Sequence, residues 1–241
     1  MKKFDISAIL IGHKEGWMIY PSIVSMLQAI KHAENHGLEV EMLVVLDRAD
    51  KITEEFIQHN CPSNTYIECI NKGDLSEARN YAVTLANGNF IAFLDGDDLW
   101  SKNWLTEAYR ICNSSESSLI CHPDVNIFFG ESDLLLFRLG MNDPDFDINF
   151  LNYTNCWSAL SFSRIETYYK HPYVPANFNA GFGYEDWHWN CETVNAGIPH
   201  IIAKGTTHFY RRKPYNSLEQ NTQFANCLMT PSNLFLNTTI L

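Results

Sequence analysis

The sequence has no apolar run long enough to cross a bilayer. No window approaches 18 apolar residues, and Met1-Lys2-Lys3-Phe4-Asp5 leads into a short strand-like stretch without a secretory apolar core. The expectation is therefore a cytoplasmic protein without a transmembrane segment, attached at most peripherally to the inner face of a membrane. A basic surplus is also missing. Lys and Arg number 17 against 28 Asp and Glu, a net charge of −11, so the counterion release that drives non-specific nucleic-acid binding has no source. Paired or clustered cysteines are absent too: the seven are odd in number and scattered, with no Cys-x-x-Cys and no His/Cys zinc spacing, as expected of reduced thiols. Without a secretory signal, the glycosylation sequons at Asn113, Asn152 and Asn237 are chance matches. There is no repeat or low-complexity segment. A chain of 241 residues, 46% hydrophobic and 19% charged, has the material for one large α/β domain or two small ones.

What is present is an apolar run, Phe90-Ile91-Ala92-Phe93-Leu94, that stops at Asp95-Gly96-Asp97-Asp98. An apolar run without alternation predicts a strand covered on both faces, central in a parallel sheet. Ligands bind outside the carboxyl ends of such strands. Three carboxylates crowded there repel one another unless they share a cation, and Mg²⁺ or Mn²⁺ prefers carboxylate and phosphate oxygens. Gly96, lacking Cβ, permits a tight turn and close approach of a ligand. The competing account is a solvated acidic turn in which Asp98 caps the next helix.

The rest of the chain supplies the setting. Ile6–Gly12 predicts a buried strand, followed by a turn and a helix from near Pro21 to Gly37. Val40–Leu46 is a second strand ending in Asp47, and Thr65–Ile70 a third. Asp74 and Glu77 form a capping-box pattern opening a helix through Ala86. Strands alternate with helices at short loop lengths, so residues 1–100 predict a doubly wound parallel sheet. Beyond Trp100 the pattern loosens: a helix over Asn103–Cys112, strands within Ser118–Phe129, an irregular acidic and aromatic stretch over 130–153, a strand over Cys156–Phe162, a helix from Ile165, a helix opening at Glu185-Asp186-Trp187, and a last strand over Ile198–Ala203. The tail ends apolar at Leu234, Phe235, Leu236, Ile240 and Leu241, which predicts docking or continuation into a longer protein.

Four segments occur in one order: Leu75-Ser76-Glu77-Ala78-Arg79-Asn80, Phe93-Leu94-Asp95-Gly96-Asp97-Asp98, Glu185-Asp186-Trp187 and Tyr210-Arg211-Arg212. Together they resemble the inverting glycosyltransferases of family two, over about residues 5–218. The resemblance implies the α/β GT-A fold, a Rossmann-like nucleotide-binding sheet with a mixed acceptor-side subdomain. It implies a single domain over 1–218, with the donor nucleotide-sugar in 1–100 and the acceptor in 101–218, and a tail over 219–241. The sequence departs from the family after strand one, where Gly12-His13-Lys14-Glu15 stands in place of Pro-x-Tyr-Asn, and after strand two, where Asp47-Arg48-Ala49-Asp50 stands in place of Asp-Asp-x-Ser.

The resemblance also assigns roles. Asp97 is the primary ligand of Mg²⁺ or Mn²⁺, with Asp95 serving the ribose and the metal's water shell and His208 as a further ligand. Asp186 is the general base, and Glu185 binds the donor sugar or acceptor hydroxyls. Gly12, His13, Glu15, Asp47, Arg79, Asp95, Gly96 and Arg211 are expected on the nucleotide-sugar, with Asp47 accepting a uracil or thymine N3–H and Arg79 reaching nucleotide or diphosphate oxygens. Arg211, Arg212 and Lys213 are expected to close over the diphosphate. Trp157, Tyr184 and Trp187 are expected to line the acceptor subsite. The implied partners are a UDP- or dTDP-sugar and a glycan or lipid-linked glycan in cell-surface polysaccharide synthesis, within a larger multidomain synthase. Two alternatives stay open. A nucleotidyltransferase also places Mg²⁺ at a strand end, though Gly12-His13-Lys14-Glu15-Gly16 is a poor phosphate loop. A non-catalytic glycan-binding module would not need Asp97 or Asp186.

Overall fold

A computed structural model describes residues 3–213 and 222–236. Strand β1 (Phe4–Gly12) is buried from Ile6 onward. It pairs in parallel with β2 (Val40–Asp47) on one side and β4 (Gly88–Asp95) on the other, and β3 (Tyr66–Ile70) extends the parallel set beyond β2. Side chains alternate across a strand, and here both faces are covered. Ala8 and Leu10 of β1, Val44 of β2 and Ala92 and Leu94 of β4 pack with Ile19, Ile23, Met26 and Ala29 of α1 (Ile19–Asn35). On the opposite face Ile9, Ile11, Val45, Ile91 and Phe93 pack with Ala78, Ala82 and Val83 of α3 (Leu75–Leu85). Each fully buried Leu, Ile or Phe stabilises the fold by about 1.5–3 kcal/mol, so two-sided burial of unbroken apolar strands fixes this half.

Local signals act as expected. Pro21 lies in the first turn of α1, where a missing N–H leaves no bond unmade. Gly37 takes φ +81 just past the end of that helix. Asp74 caps α3 by accepting from Glu77 N at 3.0 Å, but the Glu77 carboxylate pairs with Lys72 at 3.4 Å rather than completing the capping box. Asp50 similarly caps α2 (Lys51–Asn60) through Thr53 N at 2.8 Å.

The second half turns the sheet from parallel to mixed. Beside β4 lies β8 (Phe162–Arg164), antiparallel, then β6 (Ile120–Gly130) and β10 (His200–Arg212), parallel to each other. The short β5 (Leu99–Trp100) closes the edge against β10, and β7 (Leu134–Phe137) forms a hairpin with β6. Helix α4 (Trp104–Asn113) covers the first face, and α5 (Ile165–Lys170) and α6 (Glu185–Asn195) lie toward the second. Two expectations need correction. The segment 155–161 is not a strand; only Phe162 of the predicted Cys156–Phe162 is extended into the sheet. It leaves the ladder because its polar groups are met elsewhere: Leu160 O accepts from His122 Nδ1 and Ser158 Oγ bonds His208 Nδ1. The last strand runs to Arg212 rather than Ala203, because an irregularity between Ala203 and Thr207, with Gly205 at φ +75, resets the register and lets it continue.

Part of the tail returns to the domain. Leu228–Met229 (β11) pairs with β9 (Phe182–Gly183), and Glu192 of α6 accepts from Ser232 Oγ and Asn233 N, anchoring α7 (Asn233–Leu236). Leu234 and Phe235 pack on Leu151, Trp157, Cys191, Val194 and Ile202. Tyr215 to Asn221, Ile240 and Leu241 lie outside the described residues. Among the described residues no helix is long and apolar enough to cross a membrane.

Candidate active site

The carboxyl end of β4 and the N-terminus of α6 meet at one side chain. Arg79, on the sheet-facing side of α3, is 1% exposed. Its Nη2 donates to both Asp95 oxygens at 3.0 and 2.9 Å, and its Nη1 donates to Glu185 Oε1 at 3.1 Å. The Tyr173 ring lies 5.3 Å from the guanidinium carbon. Burial opposes the Arg79 charge, but Asp95 and Glu185 outweigh it and hold the group firmly protonated. Against the expectation that Arg79 reaches nucleotide oxygens, the guanidinium is enclosed and joins the two acidic motifs.

Burial, and then the neighbouring Asp186 charge, push the Glu185 carboxyl up to about 7 against the pull of Arg79. Burial also raises Asp186, again opposed by Arg79. Asp186 Oδ1 accepts from Trp187 N at 2.8 Å and Oδ2 from Asn155 Nδ2 at 3.0 Å. The helix begins directly after Tyr184, which sits at φ 59, ψ 56. A left-handed tyrosine costs on the order of 1–3 kcal/mol and persists only where its surroundings impose it. Here Trp187 donates to Leu151 O at 2.9 Å and its ring meets Tyr184 edge-on at 6.0 Å.

At the strand end, Asp98 does not cap a helix; α4 begins after Asn103. Asp98 is buried, with Oδ2 2.8 Å from His208 Nε2 and Oδ1 accepting from Arg211 N at 2.8 Å. Its carboxyl is pushed up to about 6 by burial, with His208 pulling the other way. Asp97 Oδ2 lies 2.6 Å from Lys213 Nζ, and Asp97 O accepts from Arg211 Nε at 3.0 Å. Gly96 is needed for an approach by protein rather than by a ligand: a Cβ there would stand 3.0 Å from Ile11 O and 3.1 Å from Glu15 Cδ. Glu15 is thereby set beside Asp97, and burial followed by that neighbouring charge raises its carboxyl to about 7. Phe93, Asp95, Asp98, Ala159, Leu160 and His208 surround a gap at this end of the sheet that is too small to hold a water molecule.

The donor set here has the chemistry a divalent cation requires. Asp95 and Asp97 present hard carboxylate oxygens, and a cation, the Lys213 ammonium, already sits against Asp97. Among the described residues no three His, Cys, Asp or Glu side chains are grouped so as to hold a metal ion. Two carboxylates fit a cation shared with a phosphate ligand, but not a site closed by protein alone. His208 has Asp98 on one ring nitrogen and Ser158 on the other, so it presents no spare nitrogen in this arrangement.

The remaining predicted residues are placed as follows. Both Asp47 oxygens accept backbone N–H groups, from Lys72 and Gly73 at 2.7 Å each, so the carboxylate pins the loop after β3. His13 is exposed and donates through Nδ1 to Asp47 O. Gly12 is a packing requirement: a Cβ would stand 2.7 Å from Leu46 Cδ2. Arg211 stacks its guanidinium on Phe129 at 4.5 Å and, with Lys213, is spent on the Asp97–Asp98 turn, so this segment closes on protein carboxylates. Trp157, expected at the acceptor subsite, lies in the core instead of on an open surface. It is 1% exposed, stacked on His200 at 4.2 Å, and donates to Leu139 O. Sequence reasoning missed Asn155, Asn190 and Ser158, which hold Asp186 and His208; nothing in their spacing marked them.

The family model for "Glycosyl transferase family 2" matches residues 7–138. The crystal structure of S. aureus TarS 1–349 in complex with UDP-GlcNAc superposes with a TM-score of 0.65 at 16% identity, covering 88% of this chain and 60% of that one. The same fragment with UDP gives 0.63 at 18% identity, over 87% and 61%. Against S. aureus TarS the TM-score is 0.61 at 18% identity, and this chain spans 37% of that protein's length. The likeness is one of fold: a mixed, curled α/β sheet of the GT-A type. No curated protein sequence matches.

Proposed function

The chain belongs to glycosyl transferase family 2, and from that premise we propose that it is an inverting glycosyltransferase. It moves a sugar from a UDP- or dTDP-sugar to a hydroxyl of a glycan or lipid-linked glycan. The observation that carries this reading is the bridge from Asp95 through Arg79 to Glu185. It sets a donor-side carboxylate turn and an acceptor-side Glu185-Asp186 pair at one fixed distance, as a direct displacement between two substrates requires.

In the proposed reaction Asp186 takes the proton of the acceptor hydroxyl, the hydroxyl oxygen bonds to the anomeric carbon, and the bond from that carbon to the diphosphate breaks. The nucleoside diphosphate leaves and the anomeric configuration inverts. Glu185, fixed by Arg79, orients sugar hydroxyls. At the nucleobase end Asp47 shapes the Lys72–Gly73 loop and retains a lone pair on each oxygen for a base N–H. When Mg²⁺ or Mn²⁺ is bound, Asp97 and Asp95 would hold it and it would supply Lewis-acid stabilisation of the diphosphate charge. Lys213, 2.6 Å from Asp97 Oδ2, would have to give way to it. The nucleotidyltransferase alternative loses ground because Gly12 is packed against Leu46 rather than free to cradle phosphate. A role in cell-surface polysaccharide synthesis, within a larger multidomain protein, completes the proposal.

The test is release of UDP from a panel of UDP-sugars, beginning with UDP-GlcNAc, with and without Mn²⁺. Metal-stimulated release that falls by at least about a hundredfold in Asp186→Asn, with UDP affinity retained, is expected. Pyrophosphate-forming chemistry, or undiminished release in Asp186→Asn, overturns the reading.

A further inference from the structure

Asp186 is held by an amide chain whose direction the backbone dictates. Asn155 lies in the irregular segment between Leu151 and Phe162 and faces α6. Its Nδ2 donates to Asp186 Oδ2 at 3.0 Å, while its Oδ1 receives Asn190 Nδ2 at 2.9 Å and Trp157 N at 3.4 Å. Asp186 and Asn190 are four residues apart on α6 and share a helix face, so one side chain from outside the helix spans both. An asparagine amide is ambiguous until a fixed donor or acceptor orients it. The Trp157 backbone N–H is such a donor. With Asn190 it fills both lone pairs of Asn155 Oδ1, and this leaves only N–H to face Asp186. Flipping the Asn155 amide would set its NH₂ against the Trp157 N–H and its Oδ1 against the Asp186 carboxylate. Asn190 is 1% exposed and gives its Nδ2 to Asn155, while its own Oδ1 has no partner among the described residues.

We propose that Asn155 is a positioning residue for Asp186: the Trp157–Asn190–Asn155 chain keeps Asp186 in its proton-accepting form and in one rotamer aimed at the acceptor hydroxyl. The proposal rests on the reading of Asp186 as the base. A donor that can only give a hydrogen bond stabilises the ionised carboxylate and disfavours the protonated one. That offsets the burial which raises Asp186. Other charges also face Asp186. Glu185 adjoins it on α6, Arg79 and Asp95 reach it from α3 and β4, and Arg138, Tyr173 and Tyr210 act from the neighbouring segments. A change at Asn155 removes none of these side chains, so its effect is read against the same set of charges.

The direct test is a carbon-13 carboxyl NMR titration of the full chain, with the Asp186 signal assigned by its loss in Asp186→Asn. A hydrogen bond to a charged group is strong enough that Asn155→Ala should raise the Asp186 midpoint by about one pH unit. Asn155→Asp, nearly isosteric but anionic, should raise it further. Asn190→Ala leaves the Trp157 N–H in place and should give a smaller rise of the same sign. If UDP release from UDP-GlcNAc is measurable, the acid limb of its pH profile should move with the NMR midpoint, while the KM for UDP-GlcNAc stays within about twofold. An Asp186 midpoint that is unmoved in Asn155→Ala and Asn155→Asp overturns the proposal, whatever happens to stability or rate. The two readings fail differently: undiminished UDP release in Asp186→Asn removes the base, whereas loss of release there with unmoved midpoints leaves the base standing and removes the chain.

Discussion

Replacing Arg79 by methionine keeps most of the aliphatic volume beside Tyr173 and removes the only guanidinium bonded to Asp95 and Glu185 among the described residues. The cost should depend on pH, because the two partners differ. Asp95 is 27% exposed at its side chain, so losing its pairing costs about 1 kcal/mol after screening by solvent. Glu185 is buried and its carboxyl sits at about 7 even with Arg79 beside it. A carboxyl raised in the folded state keeps its proton where the unfolded chain has released it. Its contribution is therefore most favourable at low pH and declines as pH rises from about 4.5 to about 7, by about 3 kcal/mol in the parent protein. Without Arg79 the upper edge of that window moves above 7. Asp186, which is also raised by burial and opposed by Arg79, changes in the same direction.

Near pH 5.5 Glu185 is protonated in both folded proteins, so the gap between parent and variant should be the Asp95 share alone, about 1 kcal/mol. Near pH 8.5 the parent holds an ionised, paired Glu185 and the variant a buried carboxyl that must ionise alone or stay protonated. The gap should then widen to about 3 kcal/mol, because a carboxyl that stays protonated costs about 1.4 kcal/mol for each pH unit above the parent's value of about 7. For a domain of this size each kcal/mol moves Tm by about 2–4 °C, so the Tm difference should grow from about 2–4 °C to upwards of about 6 °C. Thermal melts of Arg79→Met and the parent, followed by circular dichroism at both pH values, read this directly. A pH-independent gap, or one that narrows as pH rises, would refute the assignment of Glu185 as the buried partner that Arg79 keeps charged.

Two further outcomes follow from the strand end and the nucleobase loop. Asp97→Asn should abolish Mn²⁺-dependent UDP binding in calorimetry while Tm stays within a few degrees of the parent; unchanged affinity would show that the cation binds elsewhere. In the presence of Mn²⁺, UDP or dTDP should raise Tm more than GDP does, since Asp47 is read as the acceptor of a pyrimidine N3–H; greater stabilisation by GDP would reverse that reading.

The first hundred residues were legible because their physics is local and redundant. Strands β1, β2 and β4 are apolar at almost every position, and only a sheet covered on both faces accommodates that. Short loops then leave one way to alternate helices with strands. The second half lacked such redundancy. Lys204-Gly205-Thr206-Thr207-His208-Phe209-Tyr210 carries no apolar run, yet it is strand, because Asp98, Ser158 and Asp124 satisfy its polar side chains and backbone from neighbouring elements. Cys156-Trp157-Ser158-Ala159-Leu160-Ser161 has strand composition and is irregular for the converse reason: it is buried as a filler between α6 and β10. Composition cannot separate these cases, since both depend on partners about 40 to 110 residues away.

The same distance limit divides the site. Carboxylate identities could be assigned from motifs, because which residues end a strand or begin a helix is a local matter. What each carboxylate faces is not. Arg79 was marked by its place in Leu75-Ser76-Glu77-Ala78-Arg79-Asn80, but the motif does not say that Glu185, 106 positions on, shares its guanidinium with Asp95. Trp157 shows the reverse error, since an aromatic near an acidic helix suits a sugar subsite and a core equally well, and only its burial against His122 and His200 decides. Six carboxylates, at positions 15, 95, 97, 98, 185 and 186, therefore gather with Arg79, Arg138, Arg211 and Lys213 among the described residues. Burial has already driven Glu15 and Glu185 up to about 7, so the protein relieves part of the excess with protons. A donor diphosphate would add negative charge beside these carboxylates. Asp97 is therefore proposed as a cation ligand on local physical grounds: an added cation would offset the repulsion between its carboxylate and the diphosphate.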